Sequence, residues 1–291
     1  MMLPLPFTLV VVAAAASFSP SRTTVAAWQA PYAHKSPIYL PPLLPLLKRE
    51  FDATHSFSRT ANWLIPGRVL CGHYPGACPS RPMPPSTVAQ DLAEIRESGI
   101  CTFVCLQDEL PPQDAPWPEG GVKKKSVRAK WAKGSFQNYR DQLDDDEELL
   151  PVRFVHFGLP DLSVASSLDE LDGIVHNLKL RVENGDRLYI HCWGGRGRTG
   201  LVSACLLGAL YGEIDAEQAL ARVQQAYSLR MPWREKISPE TEEQRNQVRD
   251  WFSYKRNIAM CSRMSPQACD REPAFGIYDK QGTDILEVGF Q

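Results

Sequence analysis

Ten residues, His191-Cys192-Trp193-Gly194-Gly195-Arg196-Gly197-Arg198-Thr199-Gly200, constrain this chain more than any other stretch. They lie between RLYIH (187–191), which suits a strand, and TGLVSACLLGALY (199–211), which is apolar on nearly every side, as a buried central helix is. A chain passing from strand to helix through so short a loop must turn sharply. Gly194, Gly195 and Gly197 let the backbone curl with successive N–H groups pointing to one side, which makes an anion nest. The nest opens onto a helix N-terminus, whose unpaired N–H groups and dipole also favour negative charge.

The flanking sequence repeats the strand–helix alternation. Ser86 reads as the N-cap of a helix to about Ser98, with Val88, Leu92 and Ile95 on one face and Gly99 as terminator. ICTFVCL (100–106) and VRFVHF (152–157) read as strands. Leu168, Leu171, Ile174, Val175, Leu178 and Val182 follow helical spacing until Asn184-Gly185 closes the run. Asp215 caps a further helix to about Tyr227, and Ser238-Pro239 opens the last one with proline at the first helical position. The pattern predicts an α/β fold with a central, mostly parallel sheet flanked by helices. Residues 107–150 break it with prolines, a basic block (Lys123, Lys124, Lys125, Arg128, Lys130, Lys133) and an acidic block (Asp144 to Glu148), and read as a surface insertion.

Composition excludes several classes. With 43% apolar and 23% charged residues over 291 positions, the chain has an ordinary globular core. Thirty-two basic against 34 acidic residues leave a net charge of −2, which argues against a dedicated nucleic-acid binder. The eight cysteines have no repeating spacing, so neither a disulfide scaffold nor a zinc ribbon is expected. Leu3 to Ala16 has the length of a signal-peptide hydrophobic region, and the Ser/Thr/Ala-rich stretch beyond it, with Arg22 and Lys35, has transit-peptide composition. A simple secretory signal and a bipartite leader resembling those of complex plastids are both open; a leader without function would leave a cytoplasmic protein. Residues 1–50 are set aside as leader and linker, with Pro41, Pro42 and Pro45 marking a loose linker. Residues 260–291 read as a flexible tail, and the closing LEVGFQ comes within one letter of a protease site used in cloning.

The loop also carries its own chemistry. Cys192 stands at one end, where nest and dipole favour thiolate over thiol, and Arg198 at the other, where its planar fork matches two phosphate oxygens. His-Cys, five residues, Arg and then Thr resembles the signature loop of the cysteine-dependent protein tyrosine phosphatase superfamily. NWLIPGRVLCGHYPG (62–76) and Ser238-Pro239-Glu240-Thr241 with Gln244 resemble segments of its dual-specificity type, so the resemblance spans residues 58–256. It implies a protein-tyrosine-phosphatase-like fold and hydrolysis of phosphate monoesters through a phosphocysteine. On that resemblance Cys192 is the nucleophile. Arg198 and the loop from Trp193 through Gly194, Gly195, Arg196 and Gly197 hold the phosphate. Thr199 donates its hydroxyl to the sulfur, and His191 orders the loop from behind.

The family also places an aspartate after the preceding strand, about 30 residues ahead of the cysteine, to protonate the leaving oxygen. HFGLPDLSVAS puts Asp161 there, ahead of Asp169 and Asp172, which fall within the helix. Gln244 has two readings, a residue that places the hydrolytic water or a plain helix-surface glutamine. Neither a metal nor a cofactor is expected, since thiolate and guanidinium supply the charge. Arg196, as a second cation, favours substrates with more than one phosphate, and Trp193 either stacks on a ring or packs into the domain wall. The expected substrate is a phosphoprotein (Tyr, Ser or Thr), followed by a phosphoinositide, inositol phosphate or phosphoglucan. An inactive phosphosite-binding module is the third reading. The partner is thus a phosphorylated protein, lipid or small molecule and not nucleic acid. Cys71, Cys105 and Cys205 are open as redox partners of Cys192 or as core residues.

Overall fold

Five strands form one sheet in the order β1-β2-β5-β3-β4. They are β1 (Ala61–Ile65), β2 (Val69–Gly72), β3 (Thr102–Gln107), β4 (Arg153–Leu159) and β5 (Leu188–His191). The computed structural model describes residues 38–112, 115–123, 134–143, 151–230 and 236–264. The predicted leader sequence, most of the two charged blocks and the tail beyond 264 lie outside the described residues. β1 and β2 form an antiparallel hairpin, and the other neighbours are parallel. This hairpin escaped the sequence reading because each strand is short and Pro66-Gly67 lies between them. Gly67 turns there with φ of +70°, and Arg68 N donates to Ile65 O at 2.9 Å.

Alternation along each strand divides the core between the two sheet faces. Val69, Cys71, Val104, Leu106, Leu188 and Ile190 belong to one apolar cluster, while Leu70, Phe103, Cys105 and Tyr189 belong to the other. The first is packed with residues of α3 (Leu168–Glu183), α4 (Gly197–Leu210), α5 (Ala216–Tyr227) and α6 (Glu242–Met264). The second takes Val88, Leu92 and Ile95 of α2 (Pro85–Glu97). Helices on both faces explain why the parallel strands read as unbroken apolar runs. The central helix α4 is buried from Gly197 through Leu207.

Most helix boundaries follow local chemistry. Ser167 Oγ accepts from Glu170 N at 3.0 Å to start α3, and Asp215 with Gln218 forms a capping box on α5. Three expectations change. Ser86 lies inside α2 and does not cap it; Pro84 holds the cap position and Pro85 opens the helix. Pro239 is not helical: Ser238-Pro239 is a cis peptide ahead of α6, which starts at Glu242. α6 also runs on to Met264, beyond the point at which the tail was placed. Among the described residues no helix is long and apolar enough to cross a membrane.

Two segments set aside as peripheral are docked. Pro41 O accepts from Tyr211 Oη and Leu44 O from Arg222 Nη1, each at 2.8 Å, so the proline-rich segment lies on α4 and α5. The short helix α1 (Arg49–His55) follows and buries Phe51 and His55. In the 107–150 segment Leu110, Phe136 and Tyr139 are buried with the α2-side cluster, so the described part is not simply a surface insertion.

Two buried histidines make the fold acid-sensitive. Burial, with Arg81 adding to it, pushes His73 down to about 3, and burial brings His191 to about 3 as well. The unfolded chain takes up these protons near pH 6.5 and the folded chain does not. Stability therefore falls as pH drops from 6.5 toward 3, by about 1.4 kcal/mol per pH unit for each histidine. The urea midpoint is expected to fall between pH 7 and pH 4.5, and less steeply in His73→Gln. Equal losses in both proteins would show that His73 is protonated in the folded state.

Candidate active site

The parallel register gathers the site at one sheet edge. His191 of β5 is level with Gly72 of β2 and Cys105 of β3, and Cys105 is level with His156 of β4. The loops leaving the carboxyl ends of β3, β4 and β5 therefore emerge together, where open α/β sheets bind ligands. Cys192 and its loop follow β5, Asp161 follows β4, and Glu109 follows β3.

The loop after β5 is tied from outside. Trp193 O accepts from Tyr74 N at 3.0 Å, Gly195 O from Arg230 Nη1 at 2.9 Å, and Arg196 O from Ser238 Oγ at 2.9 Å. Because a trans peptide sets its N–H opposite its C=O, these bonds turn the N–H groups of Gly194, Arg196 and Gly197 away from the outer donors. Gly195 has φ of +60°, and a Cβ there would stand 2.0 Å from Gly72 O. Only glycine passes so close to a backbone oxygen. Arg196 holds the N-cap position of α4 without a side-chain cap, which leaves the first-turn N–H groups available to an anion.

Arg198, on the first turn of α4, is 1% exposed. Its Nη1 donates to Glu109 Oε2 at 2.6 Å and to Leu159 O at 3.0 Å. Its Nη2 donates to Glu109 Oε1 at 3.1 Å and to Asp161 Oδ1 at 3.0 Å. Burial works against its charge, but Cys192, Glu109 and Asp161 outweigh burial and raise its pKa. Asp161 is thus brought to Arg198 from 37 residues away. Asp169 and Asp172 are engaged elsewhere: Asp169 accepts from Tyr254 Oη at 2.6 Å, and Asp172 from Trp251 Nε1 at 2.9 Å and Lys255 Nζ at 3.0 Å.

The other predicted residues separate into those at the loop and those beside it. His191 is fully buried, and its Nε2 shares a 2.9 Å hydrogen bond with Tyr139 Oη. Thr199 Oγ1 is buried and has no hydrogen-bond partner among the described residues. Trp193 packs edge-on against Phe136 and donates Nε1 to Ser80 Oγ at 2.8 Å, so it belongs to the wall. Arg196 directs Nε to Ile237 O at 2.7 Å and Nη1 to Glu240 at 2.8 Å. Gln244 is fully buried, which removes the helix-surface reading. Its Oε1 accepts from the N–H groups of Glu240 and Thr241, and its Nε2 donates to Ser163 O at 2.8 Å. The amide joins the approach to α6 to the loop behind Asp161. Cys71, Cys105 and Cys205 are free and buried; burial pushes Cys71 up to about 11 and Cys105 up to about 12, and raises Cys205 as well.

Sequence reading missed Glu109, Tyr139 and Arg230. Glu109 carried a signal, as an acidic residue just past the carboxyl end of a buried strand. Tyr139 and Arg230 carried none, since each reaches the loop from a distant segment.

A mostly parallel sheet with a cysteine-to-arginine loop at its carboxyl edge, leading into a buried helix, is an α/β fold of the protein-tyrosine-phosphatase type. Residues 147–250 match the family described as PTP-SAK, Swiss Army Knife protein, DSP-PTPase phosphatase domain. Those residues are thus similar to a phosphatase domain of the dual-specificity type. No curated protein matches it. Among solved structures it is similar to Tk-PTP in the active form, with 22% identity and a TM-score of 0.41 over 67% of this chain and 97% of that one. It is similar to a kinase associated phosphatase, with 20% identity and a TM-score of 0.43 over 66% and 87%. PTPMT1 in complex with PI(5)P is similar at 13% identity and a TM-score of 0.41 over 66% and 95%.

Removing one carboxylate from the Arg198 cluster is expected to be costly. Glu109→Ala should lower stability by roughly 3 kcal/mol, because a buried guanidinium loses a bidentate partner. Inorganic phosphate should raise the thermal midpoint of this variant more than that of the parent, by occupying the vacated fork. Equal shifts would show that the ion does not reach Arg198.

Proposed function

We propose that this protein hydrolyses phosphate monoesters through a phosphocysteine and that its substrate is a phosphoprotein. The bond between Arg198 and Asp161 carries this reading, because it supports bringing a proton donor from the loop after β4 to the segment that holds both Cys192 and Arg198. Cys192 thiolate attacks phosphorus, forming the S–P bond as the P–O bond to the leaving group breaks. The loop N–H groups and Arg198 hold the equatorial oxygens as charge spreads over them. Asp161, released from Arg198 Nη2 as phosphate takes its place, gives its proton to the departing oxygen. In the second step Asp161 takes a proton from water, water attacks phosphorus, and the sulfur leaves as thiolate.

Supporting groups fit their expected parts. The unpartnered hydroxyl of Thr199 is available to donate to the sulfur as it leaves. Glu109 positions Arg198, and Gln244 positions the loop behind Asp161 through Ser163 O. Two features that favoured a sugar or polyphosphate are otherwise engaged: Arg196 is paired with Glu240 and Trp193 is packed in the wall. Their engagement supports a single phosphate on a polypeptide.

Phosphate release from phosphotyrosine and phosphoserine peptides is expected to exceed release from inositol phosphates, and the reverse order would overturn the substrate assignment. Cys192→Ser should abolish turnover on both. Asp161→Asn should lower kcat by about 10²–10⁴-fold on substrates with poor leaving groups and less on aryl phosphates. An equal loss on both would remove Asp161 as the acid.

A further inference from the structure

Arg198 is bonded to two carboxylates, Glu109 and Asp161, and Arg196 is paired with Glu240. A further buried cation, Arg230, stands against the loop. It is 2% exposed, and its three kinds of nitrogen donate to neutral oxygens: Nε to Asn62 Oδ1 at 2.6 Å, Nη1 to Gly195 O at 2.9 Å and Nη2 to Cys71 O at 2.8 Å. The Tyr227 ring lies 4.9 Å from its guanidinium carbon. Among the described residues no carboxylate forms a salt bridge with it, and an unanswered buried cation is costly to hold.

We propose that Arg230 is a positioning residue for the phosphate loop and its second buried cation, acting from beneath through Gly195. The geometry serves both roles. The bond to Gly195 O fixes the peptide whose N–H belongs to Arg196, at the residue with left-handed backbone. A Cβ on Gly195 would lie 2.7 Å from Arg230 Nη1, so the guanidinium closes directly against the loop's underside. Its charge is answered when Cys192 is a thiolate and again when phosphate is bound. Burial pulls Arg230 below its ordinary value, with Cys71, Tyr227, Tyr189 and Cys192 opposing, and arginine starts far enough above neutrality to stay charged.

The inference rests on the reading of Cys192 as nucleophile, and the test separates the two. Asn62→Asp sets a carboxylate of nearly the same shape against Arg230 Nε and neutralises the cation where it stands. Alkylation of Cys192 by iodoacetamide, followed across pH by mass spectrometry, should slow about tenfold at pH 6.5 and recover at pH 9. Protection of Cys192 by inorganic phosphate should weaken in parallel. Arg230→Met should act in the same direction, whereas Arg230→Lys should keep the alkylation profile and lose turnover, because charge remains without the fork. A folded Asn62→Asp protein with the parent's profile and phosphate protection overturns the inference, and so does a folded Arg230→Met protein that behaves in that way. If Cys192 of the parent reacts at pH 6.5 no faster than exposed Cys261, the nucleophile reading falls first and this inference with it.

Discussion

A guanidinium 1% exposed cannot be held in a protein interior without partners, and the placement of Arg198 dictates much of what surrounds it. Its four terminal N–H groups are met by Glu109, Leu159 O and Asp161. Glu109 comes from just beyond β3, and Leu159 and Asp161 from the end of β4 and the loop beyond it. Satisfying one side chain thus fixes the relative positions of the ends of β3 and β4 and the start of α4. The sheet register makes this possible, since parallel strands deliver their carboxyl ends to one edge.

The loop itself is shaped from outside. Tyr74 N, Arg230 and Ser238 each hold a carbonyl, so the protein's own groups fix the loop backbone and turn its N–H groups to the opposite side. Such preorganisation matters in phosphoryl transfer, where positioning and electrostatics contribute more than covalent assistance. The outer shell is built from β1, β2 and the segment ahead of α6, which explains why a chain that places its signature in ten residues still requires most of the domain to shape them.

The legible parts of the structure share one property: their causes are local. α3 and α5 appear at their predicted positions because Ser167 and Asp215 cap apolar-periodic runs. Cys192, Arg198 and Thr199 were readable because loop, helix terminus and charged residues are contiguous. The position of Asp161 beyond a strand was readable in the same way. The errors fall where local signals compete or run out. Ser86 is a good cap, but Pro84 and Pro85 preceded it and set the start of α2. The β1–β2 hairpin is made of strands of five and four residues around Pro66-Gly67, too short for alternation to show.

From sequence alone came the strand–loop–helix unit, the cysteine and arginine in it, and an α/β layering, because backbone propensity, capping and glycine freedom act over a few residues. Tertiary structure alone decided that Glu109 and Asp161 share Arg198, that Tyr139 reaches His191 from a segment resembling an insertion, and that Trp193 and Arg196 are engaged by wall and neighbour. Those outcomes depend on which buried polar group finds a partner across the packed layers. Hydrogen bonds between residues 52 and 89 positions apart leave no periodic or compositional trace in the chain.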